Sequence, residues 1–291
     1  MSFRRSAITG YVAGGLGNQL FILAAAWEQA ERLGVPLALD TSHFGVKGTR
    51  TLELQMLETP ARVLPKSESW ASVRLSAERV LPIPTRWGRV FLERTPDAYM
   101  PAIEQIHEGT TLVGYFQSGQ YFPRVRDRVL GAMRAQPTTP AESDLLARIA
   151  AEPAVTVHLR RGDYLAVSAD RQLIASVDYV RRALSLLGAL GVRLPLRVFS
   201  DSVDLVKQEL GADAEGVDFV DAGALGTYAT INAMALGHAM VMSNSSFSWW
   251  AATLLRTNRP DATVIAPRPW NSAGTAKADM LEPDWISLDA R

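Results

Sequence analysis

The stretch VTVHLRRGDY, residues 155–164, decides the fold of this chain. It begins as a short β-branched apolar run, which is typical of a strand buried in a parallel sheet. Two arginines, a glycine, an aspartate and a tyrosine follow it directly. Ligands of open α/β sheets bind beyond the carboxyl ends of the strands, and guanidinium groups match phosphate geometry. We therefore predict an anion, a diphosphate above all, at Arg160; the alternative is that both arginines pair with nearby carboxylates.

Length and composition describe an ordinary globular protein. The 291 residues suffice for two domains of usual size, and 47% of them are hydrophobic and 21% charged. Lys+Arg and Asp+Glu are 30 each, so the net charge is zero, which argues against a general nucleic-acid binder. The chain has no cysteine, which excludes disulfides and thiolate metal sites.

The only conspicuous apolar run near the amino terminus, residues 20–27, is far shorter than the ~20 residues that cross a bilayer. We expect no signal peptide and no transmembrane segment. The expected location is the cytoplasm, with which the absence of cysteine is compatible, and peripheral contact with the inner face of the membrane is compatible with it.

The second half of the chain alternates regularly between strand and helix patterns. The predicted strands are 154–159, 195–200, 217–220, 239–243 and 262–266, and the predicted helices are 177–190, 203–210, 228–237 and 245–255. Repeated units of this length predict a doubly wound parallel sheet. Arg160, Asp201 and Asn244 each follow a strand, so we expect them along one edge of that sheet.

The first half opens with a strand at 7–13, the glycine-rich turn GGLGNQLF at 14–21 and a helix that ends near Gly34. The turn lacks the Lys-Ser/Thr of a phosphate-binding P-loop and the third glycine of a dinucleotide fingerprint. Asn18 and Gln19, at its mouth, are candidates for substrate contacts. The proline-rich residues 41–101 predict short helices and long loops, and 137–140 predicts a linker.

SNSSFSWW, residues 243–250, is the second strong signal. Small polar residues after a strand predict a helix N-cap at Asn244 or Ser245. The first N–H groups of that helix, near Ser246 and Phe247, would then suit a phosphate. Both following tryptophans are expected in the core. Asp201 is a candidate acceptor for a base or ribose, or else a cap for the helix after it.

Several blocks together resemble the GDP-fucose-dependent α-1,2-fucosyltransferases, glycosyltransferase family 11. They are HLRRGDY at 158–164, GGLGNQLF at 14–21, GYFQS at 114–118 with Tyr121-Phe122, SNSSFSWWAA at 243–252, VIAP at 264–267 with Trp270, and PDW at 283–285. The similarity runs in order through nearly the whole chain.

The resemblance implies an α/β fold of GT-B type, with two Rossmann-like domains facing a cleft. Residues 1–140 would form an N-terminal α/β domain on the acceptor side. Residues 141–291 would form the Rossmann-like domain that binds GDP-fucose. The implied reaction transfers L-fucose, with inversion, to the 2-hydroxyl of a terminal β-galactoside.

The resemblance also assigns roles to matching positions. Arg160 would contact the β-phosphate, His158 and Asp201 the guanosine, and Ser245, Ser246 and Phe247 phosphate or ribose. The full implied donor set is His158, Arg160, Asp201, Asn244, Ser245, Ser246, Phe247, Gly15 and Gly17. The implied catalytic set is Arg160, Asp163 and Asn18. Asp163 is the motif carboxylate nearest the reaction and either takes the acceptor proton or only fixes Arg161.

The resemblance implies that no cofactor and no metal are needed. The sequence agrees, since it contains no Asp-x-Asp pair to bind a metal beside a nucleotide sugar. The resemblance also favours a bacterial source. The expected partners are GDP-fucose and a β-galactosyl-terminated glycan. Two alternatives stay open: a fucosyltransferase of another linkage, such as α-1,6, and a non-catalytic protein that binds sugar nucleotides or glycans.

Overall fold

The computed structural model describes residues 6–45, 50–64, 89–94, 98–136, 138–161, 175–270 and 279–290. Contacts divide the chain into two compact units, Met1–Ala132 and Met133–Arg291. Each unit contains one parallel sheet, which confirms the α/β class. The domain boundary after residue 140 stays a prediction.

Unit 1 is built on a five-stranded sheet. Its strands are β1 (Ile8–Tyr11), β2 (Leu37–Asp40), β3 (Arg62–Val63), β4 (Arg89–Leu92) and β5 (Thr110–Val113). Their order is β3-β2-β1-β5-β4, and every pairing is parallel. The α-helices are α1 (Leu16–Leu33) and α2 (Arg126–Arg134), and the last two residues of α2 belong to unit 2. Short 3₁₀ helices cover Leu54–Met56, Pro101–Gln105 and Gly119–Tyr121.

Helix α1 forms the centre of unit 1. Its residues from Leu16 to Ala30 are buried apart from Asn18, because the sequence is apolar on almost every face. The helix ends as predicted at Gly34, whose φ of 64° places it in the left-handed region that glycine tolerates.

The prediction of only loops and short helices for residues 41–101 was wrong for β3 and β4. Both are edge strands of the sheet, and β3 is two residues long. Neither is buried throughout, so neither carries the continuous apolar run that identifies a central parallel strand.

Unit 2 is built on a six-stranded parallel sheet in the order β11-β10-β9-β6-β7-β8. Its strands are β6 (Val155–His158), β7 (Leu196–Ser200), β8 (Asp218–Asp221), β9 (Ala239–Val241), β10 (Thr263–Arg268) and β11 (Ile286–Asp289). Its helices are α3 (Pro140–Ala151), α4 (Val177–Ala189), α5 (Val203–Leu210), α6 (Thr227–Met234) and α7 (Ser246–Asn258), with a 3₁₀ turn at Gly211–Ala214.

Side chains alternate along β6 and contact helices on both faces of this sheet. Val155 and Val157 share a core cluster with residues of α4 and α5. Thr156 and His158 point the other way: the Thr156 hydroxyl donates to the Met234 carbonyl of α6, and His158 contacts α7. The sheet is therefore doubly wound, as predicted. The edge strand β11 was not predicted.

Candidate active site

Three adjacent strands of unit 2 bring the predicted polar residues to one edge. In the order β9, β6, β7, their carboxyl ends lead into Asn244, Arg160 and Asp201. Val157 is paired with Val241 on one side and with Val198 on the other, so the three ends are in register. The prediction that these ends share one edge is confirmed.

His158 is the last residue of β6 and lies buried beneath this edge of the sheet. Its side chain is 5% exposed, and Nδ1 hydrogen bonds to the Ser248 hydroxyl and, at 3.1 Å, to the Ser243 hydroxyl. Burial, with repulsion from Arg160 as the second cause, lowers its pKa to about 3. The imidazole is therefore neutral at physiological pH.

Arg161 is a structural residue. It is 3% exposed, and its guanidinium donates to the Glu209 carboxylate at 2.8 Å and to the Ala175 carbonyl at 3.0 Å. The expectation of ion pairing thus holds for Arg161. Its predicted partner, Asp163, lies outside the described residues.

Asp201 fixes the backbone just after β6. Its Oδ1 accepts the Arg161 backbone N–H at 2.9 Å. The alternative that Asp201 caps the following helix is wrong: the N-cap of α5 is Ser202, with no side-chain cap hydrogen bond. Arg160 is half-buried and lies in the chain between the end of β6 and Arg161, whose backbone N–H is held by Asp201.

The start of α7 completes the edge. Ser245 is the N-cap, as one of the two predicted alternatives, and its hydroxyl accepts the Phe247 N–H at 3.3 Å. Asn244 instead donates to the Trp270 carbonyl at 3.4 Å. Ser246 and Phe247 are half-exposed, whereas Trp249 and Trp250 are fully buried, as predicted.

The three glycines of the turn in unit 1, Gly14, Gly15 and Gly17, have different backbone conformations and surroundings. Gly14 has a φ of 80°, and a Cβ there would lie 2.8 Å from the Asn18 amide nitrogen. Gly15 is the N-cap of α1 with ordinary φ and open space around it, and Gly17 is buried in the helix. Only Gly14 is thus required by its backbone conformation.

Gln19 is not a substrate contact, contrary to the prediction. It is fully buried, and its amide donates to the carbonyls of Gly14 and Thr51 at 2.9 and 2.8 Å. Its oxygen accepts the Glu53 N–H at 2.9 Å. Asn18, half-exposed, instead accepts a 2.7 Å hydrogen bond from the Gln117 amide, which follows the neighbouring strand β5.

A buried carboxylate that sequence reasoning missed lies beside β5. Glu93 is 9% exposed, and its Oε2 accepts the backbone N–H groups of Tyr115 and Phe116 at 2.7 and 2.9 Å. An isolated glutamate after an edge strand gives no local signal of this contact.

Two kinds of feature are absent from the described residues. No group of three or more His, Asp and Glu side chains in those ranges is arranged to hold a metal. None of the helices there is both long and apolar enough to span a bilayer.

Comparison with known proteins identifies the family. The sequence profile of Glycosyl transferase family 11 matches residues 105–289. An alpha-1,2-colitosyltransferase of Escherichia coli is 24% identical over 98% of this chain and 99% of its own length. The O-antigen biosynthesis glycosyltransferase WbnK of Escherichia coli is 25% identical over 95% of this chain and 99% of its own.

Solved structures give weaker likenesses. Fucosyltransferase NodZ from Bradyrhizobium is 17% identical with a TM-score of 0.49, covering 86% of this chain and 93% of that one. POFUT1 in complex with GDP-fucose is 15% identical with a TM-score of 0.42, covering 89% and 96%. Since the family profile spans more than half of the sequence, this chain belongs to glycosyl transferase family 11 and is a glycosyltransferase.

Proposed function

We propose that this enzyme transfers L-fucose from GDP-fucose to the 2-hydroxyl of a terminal β-galactoside, with inversion at the anomeric carbon. The observation that carries the proposal is the position of Arg160. It follows the central strand β6, beside Asp201 and next to the strand that leads into α7. A guanidinium and a helix N-terminus at one sheet edge match a diphosphate.

In the proposed reaction the bond between the fucosyl anomeric carbon and the β-phosphate oxygen breaks. Its electron pair stays on GDP, so negative charge grows on the diphosphate. The Arg160 guanidinium and the N-terminus of α7 stabilise that charge. Because the Phe247 N–H is bonded to the Ser245 hydroxyl, we assign the contact at α7 to the Ser246 N–H. Fixed donors of this kind usually supply the largest part of such catalysis.

The guanosine part is assigned to the other residues of the same edge. The exposed Asp201 carboxylate suits the N1–H and 2-amino group of guanine. His158 and Phe247, whose ring centroids are 5.9 Å apart, suit the apolar face of the nucleoside. Because His158 is neutral and its Nδ1 is occupied, we assign it packing rather than charge.

The acceptor oxygen forms the new bond and must lose its proton as it does so. Asp163 is the proposed base, and its position lies outside the described residues. Asn18 is the proposed orienting residue in unit 1, which we assign to the acceptor. Its amide carries both a donor and an acceptor for sugar hydroxyls.

We propose that no metal takes part. The sequence has no Asp-x-Asp pair, and Arg160 with the α7 N-terminus supplies positive charge at the diphosphate instead. Turnover should therefore be the same in EDTA as in Mg²⁺ or Mn²⁺. Loss of activity in EDTA and its recovery with either cation would overturn this part of the proposal.

The central test is incubation of the purified chain with GDP-fucose and lactose, followed by NMR of the product. We expect fucose on the 2-hydroxyl of galactose with α configuration. Fucose at another position would favour the alternative linkage, and binding of GDP-fucose with no product would favour the non-catalytic alternative.

The similarity to a colitosyltransferase makes GDP-colitose a second candidate donor. One of the two E. coli relatives is an alpha-1,2-colitosyltransferase, and colitose is fucose without its 3-hydroxyl. Parallel assays with GDP-fucose and GDP-colitose decide between the donors by their kcat/KM ratio. A site that hydrogen bonds the 3-hydroxyl should reject the deoxy sugar strongly, whereas an apolar site should discriminate weakly.

A further inference from the structure

The loop after β5, residues 114–118, has an unusual backbone. Phe116 has a φ of 52°, the left-handed region that costs an L-residue about 1–2 kcal/mol. Its ring is fully buried, 5.3 Å from Tyr121 and 6.4 Å from Phe91 between ring centroids. Strain of this kind persists only where surrounding contacts hold it, and it is concentrated at functional sites.

Glu93 holds this backbone in place. Its buried carboxylate accepts the consecutive N–H groups of Tyr115 and Phe116. Gly114 permits the close approach, since a Cβ at Gly114 would lie 2.4 Å from the Glu93 Cβ. The Glu93 backbone is itself tied to β5, because its N–H donates to the Val113 carbonyl at 2.8 Å. The loop is therefore fixed before any ligand arrives.

The fixed backbone presents one aromatic ring to solvent. Tyr115 is 41% exposed, although Phe116 beside it is completely buried. Two residues later Gln117 donates to Asn18 at the start of α1, so an amide pair lies at the same strand ends. An exposed aromatic ring with neutral amides close in the chain is suited to a pyranose, whose C–H face stacks on the ring while its hydroxyls bind amides.

We propose that Tyr115 is the stacking platform for the acceptor galactose, and that Glu93 is the positioning residue that fixes it. This inference rests on the proposed function and deepens it. It assigns the acceptor subsite to the ends of β1 and β5, where the Asn18 and Gln117 amides are neutral and the Glu93 carboxylate is buried. The exposed Arg94 follows Glu93 at the end of β4.

The first test is acceptor kinetics of Tyr115→Ala and Tyr115→Trp with lactose. We expect Tyr115→Ala to raise the acceptor KM about tenfold, since one stacking contact is lost. The KM for GDP-fucose and the rate of acceptor-free GDP-fucose hydrolysis should not change. Tyr115→Trp should restore the acceptor KM. Met56→Ala, which truncates another exposed apolar side chain of unit 1, is the matched control.

The second test is Glu93→Gln, which keeps the shape and removes the charge. A positioning role predicts a higher acceptor KM with the GDP-fucose KM unchanged. A merely structural role predicts a lower melting temperature with both KM values unchanged, and that result would overturn the assignment of Glu93.

Saturation-transfer NMR of lactose with the intact protein separates this inference from the proposed function. Contacts from the tyrosine ring to the galactose protons, lost in Tyr115→Ala, would support it. An unchanged lactose signal and an unchanged acceptor KM in Tyr115→Ala would overturn it, even if the wild-type enzyme makes the α-1,2 product. If the wild type instead binds lactose through Tyr115 but transfers no fucose, the proposed function fails and the binding subsite stands.

Discussion

Two pairs of adjacent polar residues, one in each unit, share one arrangement: one residue is buried and the other is half-buried. The pairs differ in charge. Asn18-Gln19 follows β1 in unit 1, and Arg160-Arg161 follows β6 in unit 2. In each pair the first residue is half-buried and the second is at most 3% exposed. Gln19 and Arg161 each make several hydrogen bonds to their surroundings, so the second residue holds the turn and the first is presented at the sheet edge.

The difference between the pairs lies in charge. The edge of unit 2 presents a guanidinium, an exposed carboxylate at Asp201 and a helix N-terminus. The edge of unit 1 presents the Asn18 and Gln117 amides and the Tyr115 ring. The carboxyl ends of the unit 2 strands thus provide charged groups that suit a nucleoside diphosphate. The ends of β1 and β5 in unit 1 provide amides and an aromatic ring that suit a sugar.

The largest predicted effect is on kcat, and it distinguishes Arg160 from Arg161. Arg160→Lys keeps the charge but loses the planar fork, so kcat should fall about 10²–10³-fold while the melting temperature stays within experimental error. Arg161→Lys should instead lower the melting temperature, because its bonds to Glu209 and Ala175 cannot both be kept. Steady-state kinetics and thermal unfolding of the two variants measure this.

The exposed Arg181 provides a control for arginine replacement as such. Arg181→Lys should change neither kcat nor the melting temperature appreciably, since exposed ion pairs contribute little. Near-normal kcat in Arg160→Lys would contradict the proposed role of Arg160 in binding phosphate. It would also contradict the division of roles between Arg160 and Arg161.

In unit 1 we predict the same division between a residue needed for stability, Gln19, and one needed for activity, Asn18, with smaller effects. Gln19→Ala leaves the Gly14 and Thr51 carbonyls and the Glu53 N–H without their buried partner, which should lower the free energy of unfolding by roughly 2–4 kcal/mol. Asn18→Ala should leave that free energy almost unchanged and reduce kcat/KM. Urea unfolding with enzyme kinetics tests both, and an equal loss of stability in the two variants would contradict the division of roles.

The sequence could predict what local pattern encodes. The buried β6, the polar ends of β9, β6 and β7, and a helix cap at Asn244 or Ser245 each follow from a short run of residues. The structure has all of them, with the cap at Ser245. All of these features require only the spacing of apolar and capping residues.

What could not be predicted depends on contacts distant in sequence. Which of Asn18 and Gln19 is buried depends on the loop at 51–53 that closes over Gln19. Glu93 acquires its role only when β4 pairs with β5 and brings it against Gly114. Edge strands such as β3 and β11 are exposed or alternately buried, so they lack the apolar run that revealed the central strands.

The smallest predicted effect concerns pH and the charge of the unit 2 edge. The folded-state pKa of His158 is about 3, whereas the unfolded value is near 6.5, so protons bind the unfolded chain more strongly. Stability from neutral His158 is fully present above pH 6.5 and is lost as the pH falls from there toward 3. The expected slope is at most about 1.4 kcal/mol per pH unit.

Urea unfolding at pH 7.5, 6.5 and 5.5 of the wild type and of His158→Gln isolates this contribution as the difference between their slopes. His238→Gln is the matched control, because burial also lowers the pKa of His238, but that residue lies away from the predicted site and is partly exposed. Since Arg160 is the second cause of the low His158 pKa, Arg160→Ala should raise the folded-state pKa of His158, which NMR titration of the imidazole below pH 6 measures. If that pKa is the same in Arg160→Ala as in the wild type, burial alone keeps the imidazole neutral, and the charge at the end of β6 does not act on His158.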